Sequence, residues 1–341
     1  MSRRLLLVSM LAVVVAAAVV VAVINPFSSP GPSRGRPAPP VAASPKGPQP
    51  ARGPAAPVPP ARGAWFGAAV TPADYTQVNE INAVNALQRQ LGRRLSIVHT
   101  YVKWQAKFPT TSALTFLDQG NMLLISWAGT DTRQIASGAD DAWIRTRAAQ
   151  VKALGKPVFL EWRWEMDRPN LRGQVHSGPD YVRAWDRIRS IFAAAGVRNA
   201  AWVWCPTAAG FADGRAAAYY PGDGQVDWVC ADAYPGYGTH ATFAATVTPF
   251  LAWAARHPKP VMIGEFGVPV SYGDQQRAAW LRAARQAVLA DTQIKALLYY
   301  DANPAGQGPQ GSYALNGDAA ALAALRAIAR QPYFNPAGSG A

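Results

Sequence analysis

Between about Gly63 and Gln331, eight short apolar runs rich in Val, Ile, Trp and Tyr alternate with longer segments of helical spacing, and this alternation constrains the fold more than any other feature. The runs are Ala64 to Val70, Leu95 to Tyr101, Met122 to Trp127, Pro157 to Arg163, Ala200 to Cys205, Val226 to Ala231, Pro260 to Glu265 and Ala296 to Tyr300. Helix candidates between them include Asp141 to Leu154, Tyr181 to Ala195, Phe243 to Arg256, Gln275 to Leu289 and Ala319 to Ala329. Strands that are apolar almost throughout and alternate with helices predict a parallel sheet covered on both faces. Eight units in roughly 270 residues match a (β/α)8 TIM barrel over 63–331. An open doubly wound sheet is the alternative.

The N-terminal part reads differently. Leu5 to Ile24 carries no charge and, at about 1.5 Å per residue, is long enough to cross a bilayer as a helix. Arg3 and Arg4 before it predict that the N-terminus stays inside. The run ends in Val21-Ala22-Val23-Ile24-Asn25-Pro26, a poor cleavage site, which favours an uncleaved signal anchor over a cleaved signal peptide in residues 1–25. Either way the domain is expected outside the cytoplasm, membrane-anchored or secreted. Residues 26–62 hold thirteen prolines and few large apolar side chains, so a disordered, Pro-rich linker is expected there. Residues 332–341 read as a flexible tail.

The formal net charge is +13, but seven of the basic residues lie in 1–63, where no acid occurs. The remainder has no Lys/Arg run and no nucleic-acid-binding motif, which argues against a nucleic-acid partner. The basic N-terminal segment suits attraction to an anionic cell-surface polymer. A monomer is expected.

In such a barrel the chemistry belongs at the C-terminal ends of the strands. The fourth strand is expected to end at Glu165 and the seventh at Glu265. Side-chain alternation puts Val261, Ile263 and Glu265 on one face, so the carboxylate is expected to follow core positions into the barrel mouth. Two carboxylates facing each other across that mouth suit glycosidic cleavage by double displacement, in which one attacks the anomeric carbon and the other protonates the leaving oxygen.

Several stretches carry a further signal: Pro157-Val-Phe-Leu with Glu165-Met-Asp, Trp202-Val-Trp-Cys-Pro, Tyr219-Tyr-Pro-Gly-Asp, Val226-Asp-Trp-Val with Asp232-Ala-Tyr, and Lys259-Pro-Val-Met-Ile-Gly-Glu-Phe-Gly. In their order and spacing they resemble glycoside hydrolase family 26, best known for β-mannanases. The resemblance implies a retaining, β-mannan-like glycosidase with Glu165 as general acid/base, Glu265 as nucleophile and Tyr234 donating a hydrogen bond to the nucleophile. A partly desolvated Glu165 would then keep its proton near neutral pH. The family's usual His just before the acid/base and Arg four residues before it are here Trp164 and Glu161. Glu161 and Arg163 share strand parity with Glu165 and are expected to pair beneath the site.

Trp104, Trp127, Trp164, Trp204, Tyr234, Tyr299 and Tyr300 fall at or just after strand ends, where a sugar face can stack on them. His99 and Arg163 are further candidates for substrate contact; Asp301 is ambiguous. The chain has four His and two Cys, none at ligand spacing, so neither a metal nor another cofactor is expected. No Gly-x-Ser-x-Gly elbow is present. Gly306-Gln-Gly308-Pro-Gln-Gly311 matches a dinucleotide-binding spacing but contains a proline after the last strand, and reads as a loop. Cys205 and Cys230 end neighbouring strands of an exported domain, where a disulfide is permitted, although adjacent parallel strands seldom orient Cβ atoms for one. The alternative to an enzyme is a catalytically inactive carbohydrate-binding or cell-wall-associated barrel.

Overall fold

The computed structural model describes residues 54–336, apart from 73, 237 and 305–307. The expected membrane span and most of the linker lie outside the described residues. Among the described residues, no helix is long and apolar enough to cross a membrane.

Eight parallel strands form a closed barrel in sequence order: β1 Trp65–Val70, β2 Ile97–Val102, β3 Met122–Trp127, β4 Val158–Trp162, β5 Ala200–Trp204, β6 Trp228–Ala233, β7 Val261–Phe266 and β8 Ile294–Asp301. β1 pairs with β8 over six consecutive positions, from Trp65 opposite Ala296 to Val70 opposite Asp301, which excludes the open sheet. Helices follow the strands and are capped as their sequences dictate. Thr76 accepts the Asn79 N–H at the start of Gln77–Leu91, and Ser177 accepts the Asp180 N–H at the start of Gly178–Ala194. The β5 to β6 connection has only a five-residue helix, Ala208–Ala212, and a 3-10 turn, Ala216–Tyr219.

The core has two parts. A large outer cluster fills the space between strands and helices, and a smaller inner cluster fills the barrel. Trp65 and Trp228 stack at 5.8 Å inside the barrel, with Phe159 edge-on to both at 5.7 and 5.2 Å. These rings close the lower half of the barrel, leaving the polar residues at the mouth. Ala56, at the end of the Pro-rich segment, packs against this inner cluster, and Pro57 is buried. The far end is also part of the fold: Pro332–Phe334 forms a 3-10 turn, with Phe334 buried edge-on against Phe66. Residues 332–334 of the expected tail are therefore part of the fold, and 337–341 lie outside the described residues. Gly308–Gly311, read as loop, is a short helical turn.

Strand seven departs from simple alternation. Val261 and Ile263 face the helices and Met262 faces the barrel interior, the reverse of the sequence expectation. Glu265 nevertheless reaches the interior because the register slips at Gly264: Ala231 pairs with Ile263, but Asp232 pairs with Glu265. A bulge of this kind places two successive residues toward one face. Glycine is needed at the slip, because a Cβ on Gly264 would lie 2.6 Å from Cys230 Sγ and 2.9 Å from Asp232 Oδ1. The register that sets Val203 opposite Trp228 and Trp204 opposite Val229 carries Cys205 to Cys230, and the two form a disulfide with Cα atoms 4.3 Å apart. Orientation, the obstacle expected for adjacent parallel strands, is met because both residues point into the barrel.

Gly264→Ala is expected to destabilise the domain by about 1–3 kcal/mol through overpacking, seen as a lower thermal midpoint in calorimetry. An unchanged midpoint would show that the bulge has room for a side chain.

Candidate active site

Glu265 lies at the end of β7, 6 % exposed, with both carboxylate oxygens occupied. Tyr101, on β2, donates to Oε1 at 2.5 Å, and Tyr234, the first residue after β6, donates to Oε2 at 2.6 Å. Aromatic neighbours hold both phenols in place: Tyr101 packs on Trp164 at 5.4 Å, and Tyr234 on Tyr313 at 4.5 Å. Two hydroxyl donors fix the rotation of the carboxylate.

Glu165 reaches the same cleft by a different route. β4 stops at Trp162, so Glu165 stands beyond the strand rather than ending it. Arg163 and Glu165 both take left-handed backbone conformations, φ 54° and 50°, which cost on the order of 1–3 kcal/mol each for residues with side chains. Neighbouring strand ends anchor these turns, because the Arg163 N–H donates to Trp127 O at 3.0 Å and the Glu165 N–H to Cys205 O at 2.7 Å. The Glu165 carboxylate accepts from Arg168 Nη1 at 2.5 Å. Burial, reinforced by the charge of Glu265, raises its pKa from 4.5 to about 7, with the Arg168 guanidinium opposing the shift. Glu165 thus holds its proton to higher pH than an exposed carboxyl group does.

Beneath the pair lies a second polar layer. Glu161 accepts from Ser126 Oγ, which also contacts His99 Nε2 at 2.6 Å, and His99 Nδ1 lies 3.4 Å from the Tyr101 hydroxyl. The expected Glu161–Arg163 pair is not formed, because the backbone turn after Trp162 breaks the alternation on which it rested. Arg163 instead donates to Gln174 Oε1 and Gly129 O. Burial raises the pKa of Glu161, and it raises that of Asp232 further, aided by the charges of Glu265 and Glu161. Glu161, Asp232, Cys205 and Cys230 bring ligand-type atoms within 4.8 Å of one another, but the two sulfurs are bonded to each other.

A cleft of about 480 Å³ brings together Glu165, Glu265, Trp164, Tyr234 and Tyr300 from the sequence reading. It also takes in Thr71, Tyr101, Arg168 and Tyr313, which that reading missed. Tyr101 was within reach, since it ends a predicted strand on the His99 face; Arg168 depends on a turn that no pattern announces. Other candidates lie elsewhere. Trp127 is fully buried against Trp104, at 4.3 Å, and Trp204 is buried among Phe211, Tyr220 and Trp253, so both belong to the outer core. Tyr299 is also fully buried there, because it has the opposite strand parity to Tyr300. His99 is buried below Tyr101 and does not line the cleft. Asp301 lines a neighbouring cavity of about 600 Å³ that shares only Thr71 with the cleft.

The raised pKa of Glu165 has a consequence for stability. Between pH 4.5 and about 7 the folded state keeps a proton that the unfolded state has lost, so this group's contribution to stability disappears as pH rises through about 7. Glu165→Gln does not titrate. Its thermal midpoint is expected to gain on the wild type as pH increases across that window and to hold the gain above it. A constant difference across the pH series would contradict the shift.

No family model matches the chain. Endoglucanase H of Acetivibrio thermocellus is 27% identical over 295 residues, covering 80% of this chain and 31% of that protein. A β-1,3-xylanase of Vibrio sp is 28% identical over 141 residues, 40% of this chain and 28% of that protein. The chain thus spans about a third of the length of the curated relatives it matches. Among solved structures, a GH26 endo-β-1,4-mannanase catalytic domain of Bacillus sp. superposes with TM-score 0.63 at 16% identity, covering 82% of this chain and 89% of that one. A GH26 β-mannanase of Bacteroides ovatus gives 0.60 at 14% identity, with 80% and 90% covered. The chain therefore has the same closed-barrel fold as these family 26 glycoside hydrolases, with a sequence far diverged from theirs.

Proposed function

We propose that this protein is a glycoside hydrolase that cleaves a β-linked polysaccharide with retention of configuration, Glu165 serving as acid/base and Glu265 as nucleophile. One observation carries the reading: in a single cleft, a carboxylate held by two phenol donors accompanies a second, buried carboxyl group that stays protonated to about pH 7. That asymmetry is what double displacement asks of two acids. Glu265 attacks the anomeric carbon while Glu165 protonates the departing oxygen. Glu165, now charged and still bonded to Arg168, then takes a proton from the water that releases the sugar. Tyr101 and Tyr234 hold the attacking oxygens in line. Trp164, Tyr300 and Tyr313 offer ring faces to the sugar.

The resemblance to family 26 puts β-mannan first among substrates, and the names of the curated relatives add β-glucan and β-1,3-xylan. Export from the cytoplasm is part of the same proposal, supported by the uncharged run Leu5 to Ile24 and by the Cys205–Cys230 disulfide, which persists in oxidising compartments. Recovery of the protein in the cytosolic fraction would overturn the export reading.

Glu265→Ala is expected to abolish turnover of whichever of these glycans is cleaved. Glu165→Ala should slow it by about 10²–10⁴-fold, with much of the loss recovered on an aryl glycoside whose leaving group needs no proton. The anomer released first, followed by proton NMR, should match that of the substrate. Full turnover by purified Glu265→Ala would remove the mechanism, and release of the opposite anomer would make the enzyme inverting.

A further inference from the structure

A second, smaller pocket opens beside Glu165. It has a volume of about 110 Å³ and is lined by Arg163, Trp164, Glu165, Arg168, Asn170 and Leu171, sharing Trp164, Glu165 and Arg168 with the main cleft. Two arginine residues therefore line one edge of a carboxylate site.

Arg163 is the more informative of the two. It is 7 % exposed, and its hydrogen-bond partners are neutral, the Gln174 amide and the Gly129 carbonyl. Its Nε is buried without a partner, and among the described residues it makes no ion pair. A buried cation without a counter-ion is costly, and desolvation already lowers its pKa. The fold nonetheless holds it in place. Its backbone takes a left-handed conformation, and its stem lies so close to residue 129 that a Cβ there would be 2.8 Å from Arg163 Cδ. Arg168 adds a guanidinium that is half exposed and has one nitrogen on Glu165.

We infer that this pocket binds a carboxylate carried on the sugar chain, making the preferred substrate a β-glycan that contains uronic acid residues. The inference rests on the hydrolase reading for its substrate and on the pocket for its charge. A planar carboxylate matches the fork of a guanidinium, supplies the charge that Arg163 lacks, and bridges it to Arg168. Because the pocket adjoins the acid/base, the carboxylate would sit on the sugar next to the scissile bond.

The test measures binding, with the full chain carrying Glu265→Gln so that nothing is cleaved. Cellohexaose and mannohexaose are compared, by calorimetry in low-salt buffer, with their counterparts oxidised to uronates at the hydroxymethyl carbon. At least one oligouronate is expected to bind about tenfold or more tightly than its neutral twin, a gain that one charge-assisted contact supplies. Adding Arg168→Gln, or Arg163→Gln where folding is retained, should bring the ratio to about twofold or less, and Arg163→Lys should restore part of it. Equal binding of the twins, or a preference that survives both glutamine variants, would overturn the proposal. Free glucuronate separates this inference from the hydrolase reading. If glucuronate binds in an arginine-dependent way while the wild type cleaves no glycan, the pocket stands and the hydrolase falls; if glycan is cleaved with no uronate preference, the hydrolase stands and the pocket falls. Tighter arginine-dependent binding of inorganic sulfate than of glucuronate would also overturn the assignment, by pointing to a sulfate ester instead.

Discussion

The pairing of β1 with β8 is the constraint on which the rest of the molecule depends. Once six consecutive positions close the sheet, the interior of an eight-stranded barrel is just wide enough to be filled by side chains and must be filled. Trp65, Phe159 and Trp228 occupy the lower part. Polar inward residues are then tolerable only toward the mouth, where His99, Ser126 and Glu161 form a floor and Glu265 and Glu165 stand above it. The position of the acidic cleft is a consequence of how the barrel is packed.

Four carboxyl groups, on Glu161, Glu165, Asp232 and Glu265, are buried in this mouth. Four negative charges in so small a volume would destabilise the fold severely, and the surroundings relieve the strain unequally. Burial and mutual repulsion keep protons on Asp232, Glu161 and Glu165 to higher pH than usual. Glu265 instead receives two phenolic hydroxyls. The two cleft glutamates therefore differ in what each touches, although their side chains are chemically identical. The disulfide contributes to the same arrangement. It ties β5 to β6 below Asp232, and the Cys205 carbonyl receives the Glu165 N–H.

Much of this was legible in the sequence. The eight apolar runs predict the eight strands to within two residues at each end, and Ala319–Ala329 matches its helix. Both glutamates, Trp164, Tyr234 and Tyr300 stand out because strand ends in a barrel form one surface. The misses share a cause. Val261, Ile263 and Glu265 cannot share a face once Gly264 bulges, and Glu161 cannot pair with Arg163 once the backbone turns left-handed after Trp162. Trp127 and Trp204 read as candidate platforms, yet their strand parity sends them outward into the helices. A pattern of alternation carries no information about where alternation breaks.

The sequence by itself determined the barrel, its order of strands and the presence of two glutamates at its mouth, because hydrophobic periodicity and residue type are local properties of the chain. Only the tertiary structure decided which way those acids point, that burial raises the pKa of Glu165, and which cation stands beside it. Each of these depends on groups far apart in sequence being pressed together in a medium that screens charge poorly: Tyr101 with Glu265, Cys205 with Cys230, Glu165 with the end of β5.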